Sequence, residues 1–146
     1  MEREVIQSVG FRNRVENGTV VGFQFKLRLP YYRGVYLSQL RPGTLIVDGE
    51  RLEKENLIWC IRGEEYSFEE MQVDWQTHWS PTETAIIKVP KPGGLAQGLH
   101  ELTYGFCFTS SYMPPALQES LDPDKESFVF LPEFGRHVNT RRLLIV

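Results

Sequence analysis

The strongest signal in this chain is an alternation of apolar and polar residues with a period of two. Val21, Phe23, Phe25, Leu27 and Leu29 are apolar, while Gln24, Lys26 and Arg28 between them are polar. That pattern predicts a strand that turns Phe23, Phe25 and Leu27 to a core and its polar residues to water. Pro30 ends it. Thr44 to Val47 predicts a second strand, and Asp48-Gly49 is a two-residue hairpin signal leading into Glu50 to Leu52. Further strands are predicted at Leu57 to Ile61, Thr84 to Val89, Leu99 to Thr109, Phe128 to Leu131 and Arg142 to Val146. In the longest of these, Leu102, Tyr104, Phe106 and Phe108 share one face.

Helical signals are local. Ser67 stands three residues before Glu70, which fits a capping box and one helical turn around Tyr66 to Met71. Ala116 to Leu121 suits about a turn and a half, with Pro115 at the first helical position. No long stretch has helical periodicity and no βαβ unit is visible, so a doubly wound nucleotide fold is excluded. The expected class is all-β, an antiparallel β-sandwich of about seven to nine strands with at most one or two short helices.

The organisation reads as a single β-sandwich domain over residues 1–146. It has a loop-rich segment at about 110–126, longer than ordinary connections. Pro132 to Thr140 is poor in strand pattern, yet the chain ends on apolar Leu143-Leu144-Ile145-Val146. Such an end wants cover from its own sheet or from a partner, which makes the carboxyl-terminal tail a candidate for partner binding.

Composition narrows the function classes. The 146 residues have 41% hydrophobic content, enough to fill one core. Sixteen basic residues stand against 19 acidic ones, a net charge of −3, which argues against a general nucleic-acid binder. No apolar run approaches the roughly 20 residues that span a bilayer, so no membrane role is expected. Met1-Glu2-Arg3-Glu4 opens no apolar signal region, which points to the cytoplasm. Cys60 and Cys107, each in an apolar stretch, read as buried free thiols.

Candidate chemistry is sparse. His78, His100 and His137 form no metal-binding spacing, and Asp74 would join His78 only on a helix. Pro92-Gly93-Gly94 with Gly98 lacks the Lys-Ser/Thr and helix of a phosphate loop, so the glycines read as turns. No Gly-x-Ser-x-Gly elbow is present, and the carboxylate pairs Glu64-Glu65 and Glu69-Glu70 read as solvated turns. Aromatic groups say more. Tyr31-Tyr32-Arg33 follows a strand end, and Trp75 and Trp79 flank His78. Aromatics beside polar groups stack on sugars or anchor protein interfaces, and in β domains they also pack cores. These residues alone leave open a carbohydrate-binding module, an accessory subunit and a generic cytoplasmic interaction domain.

One succession of motifs goes further. Tyr32-Arg33-Gly34-Val35-Tyr36-Leu37-Ser38 is followed by Val47-Asp48-Gly49-Glu50 and then Trp79. Lys91-Pro92-Gly93-Gly94-Leu95, Gly98-Leu99-His100 and Ser111-Tyr112-Met113-Pro114 complete it. In this order the pieces resemble the β-subunits of bacterial C-glycoside deglycosidases, over the stretch from about Tyr31 to Pro114. The resemblance implies a small β-sandwich subunit of a hetero-oligomer, bound to a larger (β/α)-barrel catalytic α-subunit.

Members of that family are carbon–carbon lyases that separate a 3-oxo-sugar from an aromatic aglycone, commonly a flavonoid. A 3-ketone acidifies the proton at C2, so a general base forms an enolate and the aglycone carbon leaves C1. The resemblance places the base and a divalent metal, expected to be manganese, in the barrel subunit, with no cofactor, no metal ligand and no catalytic residue in this chain. The implied roles here are to stabilise the barrel subunit and to border its active-site mouth. Tyr31, Tyr32, Arg33, Trp79, Tyr112 and Met113 are the candidates for contact. His100 is expected to follow a turn and define the start of its strand.

Overall fold

The structure is a computed structural model and describes residues 1–109, 122–124 and 136–146. A long hairpin opens it, β1 (Ile6–Glu16) and β2 (Thr19–Arg28). Short strands follow: β3 (Val35–Tyr36), β4 (Leu40–Pro42), β5 (Leu45–Val47), β6 (Glu50–Leu52), β7 (Ile58–Ile61) and β8 (Glu64–Tyr66). After helix α1 (Phe68–Gln72) come β9 (His78–Trp79), β10 (Thr84–Pro90), β11 (Gly98–Phe108) and β12 (His137–Ile145).

One sheet has the order β1-β2-β10-β7-β8, and a second joins β12-β11-β5-β6 with β4 also paired to β11. Both sheets are antiparallel throughout. Their inner faces meet through aromatic rings. Phe25 of the first sheet lies edge-on to Tyr104 of the second at 5.8 Å, and Trp59 meets Phe106 at 6.2 Å. This is the sandwich that the alternation predicts. The described residues hold more strands than the seven to nine expected, because two- and three-residue ladders at the rims leave no periodic trace.

Local chemistry explains the elements that were anticipated. Phe23, Phe25 and Leu27 are fully buried. Asp48 and Gly49 both have positive φ, 50° and 86°, the geometry of the tight turn that closes β5 on β6. Ser67 caps α1 by accepting from the Glu70 amide at 3.2 Å, while the Glu70 carboxylate accepts from the Ser67 amide at 3.0 Å.

Three expectations need correction. Gln24 faces outward but is buried, since it lies on an inner strand between Arg12 and Lys88, whose long side chains flank it. β1 was not anticipated at all. A bulge between Gln7 and Arg12, with Gly10 at φ 92°, breaks its alternation. β12 begins at His137, within the stretch read as poor in strand pattern, because pairing with β11 supplies what local sequence does not.

The apolar terminus divides by the same alternation. Leu143 and Ile145 are buried, and Leu144 and Val146 face out, so its own sheet covers one side. Side chains close the gap between the sheets there: the Ile6 amide donates to Asn139 Oδ1 at 2.9 Å, and Arg141 donates to the Ile6 carbonyl at 2.8 Å. The expected strand at Phe128 to Leu131, the helix at Ala116 to Leu121 and most of the 110–126 loop lie outside the described residues.

Candidate functional site

An aromatic cluster stands where β2, β3, β9 and the carboxyl end of β11 come together. Pro30 ends β2 and releases Tyr31-Tyr32-Arg33-Gly34 as a loop. Gly34 has φ +80°, and a Cβ there would lie 2.6 Å from the Trp79 carbonyl oxygen and against the His78 ring. Only glycine permits that approach. The chain then enters β3, where Val35 pairs with Trp79 and Tyr36 with His78. The Leu37 amide donates to the Thr77 carbonyl at 3.0 Å, and the Tyr36 amide donates to Gln39 Oε1 at 2.9 Å.

The rings pack in two sets, one around Tyr31 and Phe108 and one of Tyr36 with His78. Tyr31 packs on Phe108 with centroids 4.8 Å apart and on Tyr32 at 5.0 Å. Phe108 stacks on His137 with the rings parallel, and Tyr36 meets the His78 ring edge-on at 5.2 Å. Tyr31 is half-buried and fixes the cluster to the core. Tyr32 is 74% exposed, with the Arg33 guanidinium 5.4 Å from its ring centre, and Tyr36 is 42% exposed. A cation over an exposed tyrosine presents flat apolar surface with hydrogen-bond donors at its edge. That suits an aromatic or sugar face, or a protein neighbour.

The candidate residues thus divide. Tyr31, Tyr32 and Arg33 stand together in this cluster. Trp79 does not join them as a contact surface: it is fully buried, its indole Nε1 donates to the Glu83 carbonyl at 3.0 Å, and its ring packs on Trp59 and Phe106. The pairing of β3 with β9 turns it inward, and polar neighbours in sequence give no sign of that. Tyr112 and Met113 lie outside the described residues. Tyr36 was missed as a site residue, although alternation from buried Val35 puts it on the outer face.

His100 lies at the other end of β11 and belongs to a different arrangement. Its Nδ1 is 2.6 Å from Asp48 Oδ2, and its Nε2 is 2.6 Å from the Ala96 carbonyl oxygen. Asp48 Oδ1 accepts from the Glu101 amide at 2.8 Å, while the Asp48 amide donates to the Glu101 carbonyl at 2.9 Å. Both neighbours of the imidazole are acceptors, so the ring is doubly protonated where both bonds form. Burial opposes that charge, yet the Ala96 carbonyl and the Asp48 carboxylate outweigh it and raise the pKa above the usual histidine value. The same His100 bond holds Asp48 below the ordinary aspartate range.

With both ring nitrogens engaged, His100 clamps the β5–β6 hairpin to β11 and offers no lone pair to a substrate. Beside it Asn13 exchanges two hydrogen bonds with Leu95, at 2.8 and 2.9 Å, and Lys91 pairs with Glu50 at 3.0 Å.

Other reactive groups are quiet. Burial pushes the Cys107 thiol up to about 11, which keeps it protonated near neutrality. Among the described residues no three His, Cys, Asp or Glu side chains converge as a metal site would need, so these residues do not fit a divalent ion. No helix among them is long and apolar enough to cross a membrane.

Comparison with known proteins adds what geometry does not. The profile of the C-glycoside deglycosidase beta subunit family matches residues 1–112. A C-glycoside deglycosidase beta subunit of Eubacterium cellulosolvens is 66% identical over 147 aligned positions, covering 100% of both chains. One from Microbacterium trichothecenolyticum is 30% identical over 70% of this chain and 77% of its own length. A 3'-dehydrocarminate deglycosidase beta subunit from a Microbacterium species is 28% identical over 65% of this chain and 71% of its own.

Proposed function

The chain belongs to the C-glycoside deglycosidase beta subunit family, and from that premise we propose that it is the small, noncatalytic subunit of a cytoplasmic carbon–carbon lyase. It acts as one domain, stabilises a larger (β/α)-barrel alpha subunit and borders that subunit's active-site mouth with Tyr32 and Arg33. The substrate is a 3-oxo-sugar joined through carbon to an aromatic, flavonoid-type aglycone.

The chemistry fits a division of labour. The C3 ketone acidifies the C2 proton, and a base on the partner removes it. The resulting enolate returns its electrons to form the C1–C2 double bond and regenerate the ketone. The C1–aglycone bond breaks and the aglycone carbon takes up a proton. The divalent metal, expected to be manganese, belongs to the partner in this reading.

The observation that carries the proposal is full-length 66% identity to a protein named as a beta subunit of such an enzyme. The site supports it from a second direction. The exposed Tyr32-Arg33 pair is a surface to lay against an aromatic molecule, while the His100–Asp48 pair is committed to the fold.

Three assays on a 3-oxo-C-glucoside test it: this chain alone, the alpha subunit alone, and both together. The expected result is no cleavage by the isolated chain, full cleavage by the pair, and metal recovered with the alpha subunit. Full activity from the isolated chain overturns the noncatalytic assignment. Tyr32→Ala is expected to raise KM of the assembled enzyme more than it changes subunit affinity, and an unchanged KM removes Tyr32 from the mouth.

A further inference from the structure

Of the three tryptophans, Trp59 and Trp79 are buried and Trp75 is exposed. Val73 is 76% exposed and Trp75 65% exposed, two residues apart in the loop that joins α1 to β9. Large apolar side chains in water on a mobile loop would be unremarkable. This loop is held in place. Asp74 Oδ1 accepts from the amides of Gln76 and Thr77 at 2.9 and 2.7 Å, and Oδ2 accepts from Thr77 Oγ1 at 2.7 Å. The Asp74 carbonyl accepts from the Ser38 amide at 2.9 Å, and the Thr77 carbonyl from the Leu37 amide at 3.0 Å. Hydrogen bonds that fix the backbone of this loop leave it little conformational entropy to lose on docking.

A hollow of about 480 Å³ lies beside it, walled by Trp75, Val73, Tyr66 and Glu70. The charged side chains that line it, Glu70 and Asp74, are both acidic. From Gly63 to Ile87 the sequence holds six carboxylates, Glu64, Glu65, Glu69, Glu70, Asp74 and Glu83, and no lysine or arginine. Glu65 and Glu83 are paired with Lys88 and Arg62 from outside that stretch. Glu70 spends one oxygen on the Ser67 amide and keeps the other. A hollow lined by both an indole and a carboxylate is an environment that an arginine or lysine side chain fills, by cation–π contact and ion pairing together.

We infer that the 73–77 loop is a docking knob for the alpha subunit, with Trp75 and Val73 buried against an apolar recess and a basic side chain of the partner seated in the hollow between Trp75 and Glu70. The inference rests on the subunit reading and adds to the Tyr32-Arg33 pair a second contact, on the loop that leads into the β3–β9 ladder.

The experiment is titration of this chain against the alpha subunit at several salt concentrations, using wild type, Trp75→Ala, Trp75→Phe and Glu70→Gln. Glutamine keeps the capping box and removes only the charge. Trp75→Ala is expected to weaken association by roughly 30-fold or more, the loss typical of a central interface tryptophan. Trp75→Phe should recover part of it. Glu70→Gln should weaken binding about threefold at low salt and flatten its salt dependence. Thermal melting of each free variant within a degree or two of wild type excludes misfolding as the cause. Wild-type affinity for Trp75→Ala overturns the knob and leaves the subunit reading standing. Failure of the wild-type chain to bind the alpha subunit at all overturns both.

Discussion

His100 should make the stability of this protein depend on pH, in a direction opposite to that of its carboxylates. The imidazole donates from both nitrogens, each bond 2.6 Å long, one of them to a carboxylate. A charge-assisted hydrogen bond contributes about 1.5–3 kcal/mol when shielded. The His100 side chain is 11% exposed and that of Asp48 47%, so water screens one end of the pair. With one end screened, the lower part of that range is taken once for the pair of bonds, about 2 kcal/mol.

Because folding raises the imidazole pKa, this contribution is complete below the unfolded value of about 6.5 and is lost as pH climbs through the folded value. The Asp48 contribution lies on the other side. Its folded pKa is depressed, so it is present above about 3.9 and lost as pH falls through the folded value. Urea unfolding of wild type and His100→Gln at pH 5.5 and pH 9 reads the effect. At pH 5.5 the variant should be less stable by about 2 kcal/mol, a drop in Tm of about 4–8 °C. By pH 9 the gap should shrink. A gap of the same size at both pH values would refute the imidazolium clamp and leave only lost packing against Phe11, whose ring lies 6.3 Å away.

The remaining predictions concern packing and backbone. Phe25→Ala should cost about 3–5 kcal/mol by opening a cavity against Tyr104 and Ile87, and a denaturation midpoint near that of wild type would show the face assignment to be wrong. Gly34→Ala should cost about 1–3 kcal/mol from its positive φ and its clash with the Trp79 carbonyl, and should also lower cleavage by the assembled enzyme. Equal activity of that variant at matched folded concentration would detach the Gly34 turn from function. Ser67→Ala should cost about 0.5–2 kcal/mol through loss of the α1 cap, with Ser67→Asp restoring it, and chemical denaturation distinguishes the two.

What was legible in the sequence followed from interactions within a few residues. The Asp48-Gly49 turn, the Ser67–Glu70 capping box and the inward face of β2 each depend on neighbours close in the chain. β1 carries one such signal at its end. Asn17-Gly18, both at positive φ, closes the first hairpin in the same manner as Asp48-Gly49. The bulge at Gly10 hid the rest. Trp79, the start of β12 and the β3–β9 ladder were illegible for one reason. Each is defined by a partner more than 30 residues away, and no local pattern encodes that partner. The site follows the same division. Tyr32 and Arg33 stand in a turn marked by Pro30 and Gly34, whereas the burial of Trp79 required the pairing.

Within the described residues the motif succession resolves into two arrangements joined by one strand. Gly98-Leu99-His100 stands at the start of β11 with the Asp48-Gly49-Glu50 turn and the Lys91–Leu95 stretch, while the aromatic cluster surrounds Phe108 at its end. Eight residues of strand separate His100 from Phe108, roughly 26 Å at the usual rise. The clamp holds β5 and β6 against β11, and the pairing of β4 with β11 carries that register to the loop bearing Tyr31 and Tyr32. A slip by one residue would turn Leu102, Tyr104 and Phe106, all now buried, to the outer face. Losing that burial costs about 1.5–3 kcal/mol per side chain, more in total than the clamp supplies. The register is therefore fixed by the core, and the clamp adds stability without setting the geometry of the distant cluster. His100→Gln should lower the melting temperature while leaving KM of the assembled enzyme unchanged under folding conditions. A raised KM in that variant would mean that β11 transmits strain along its length, and the two arrangements would then have to be treated as one.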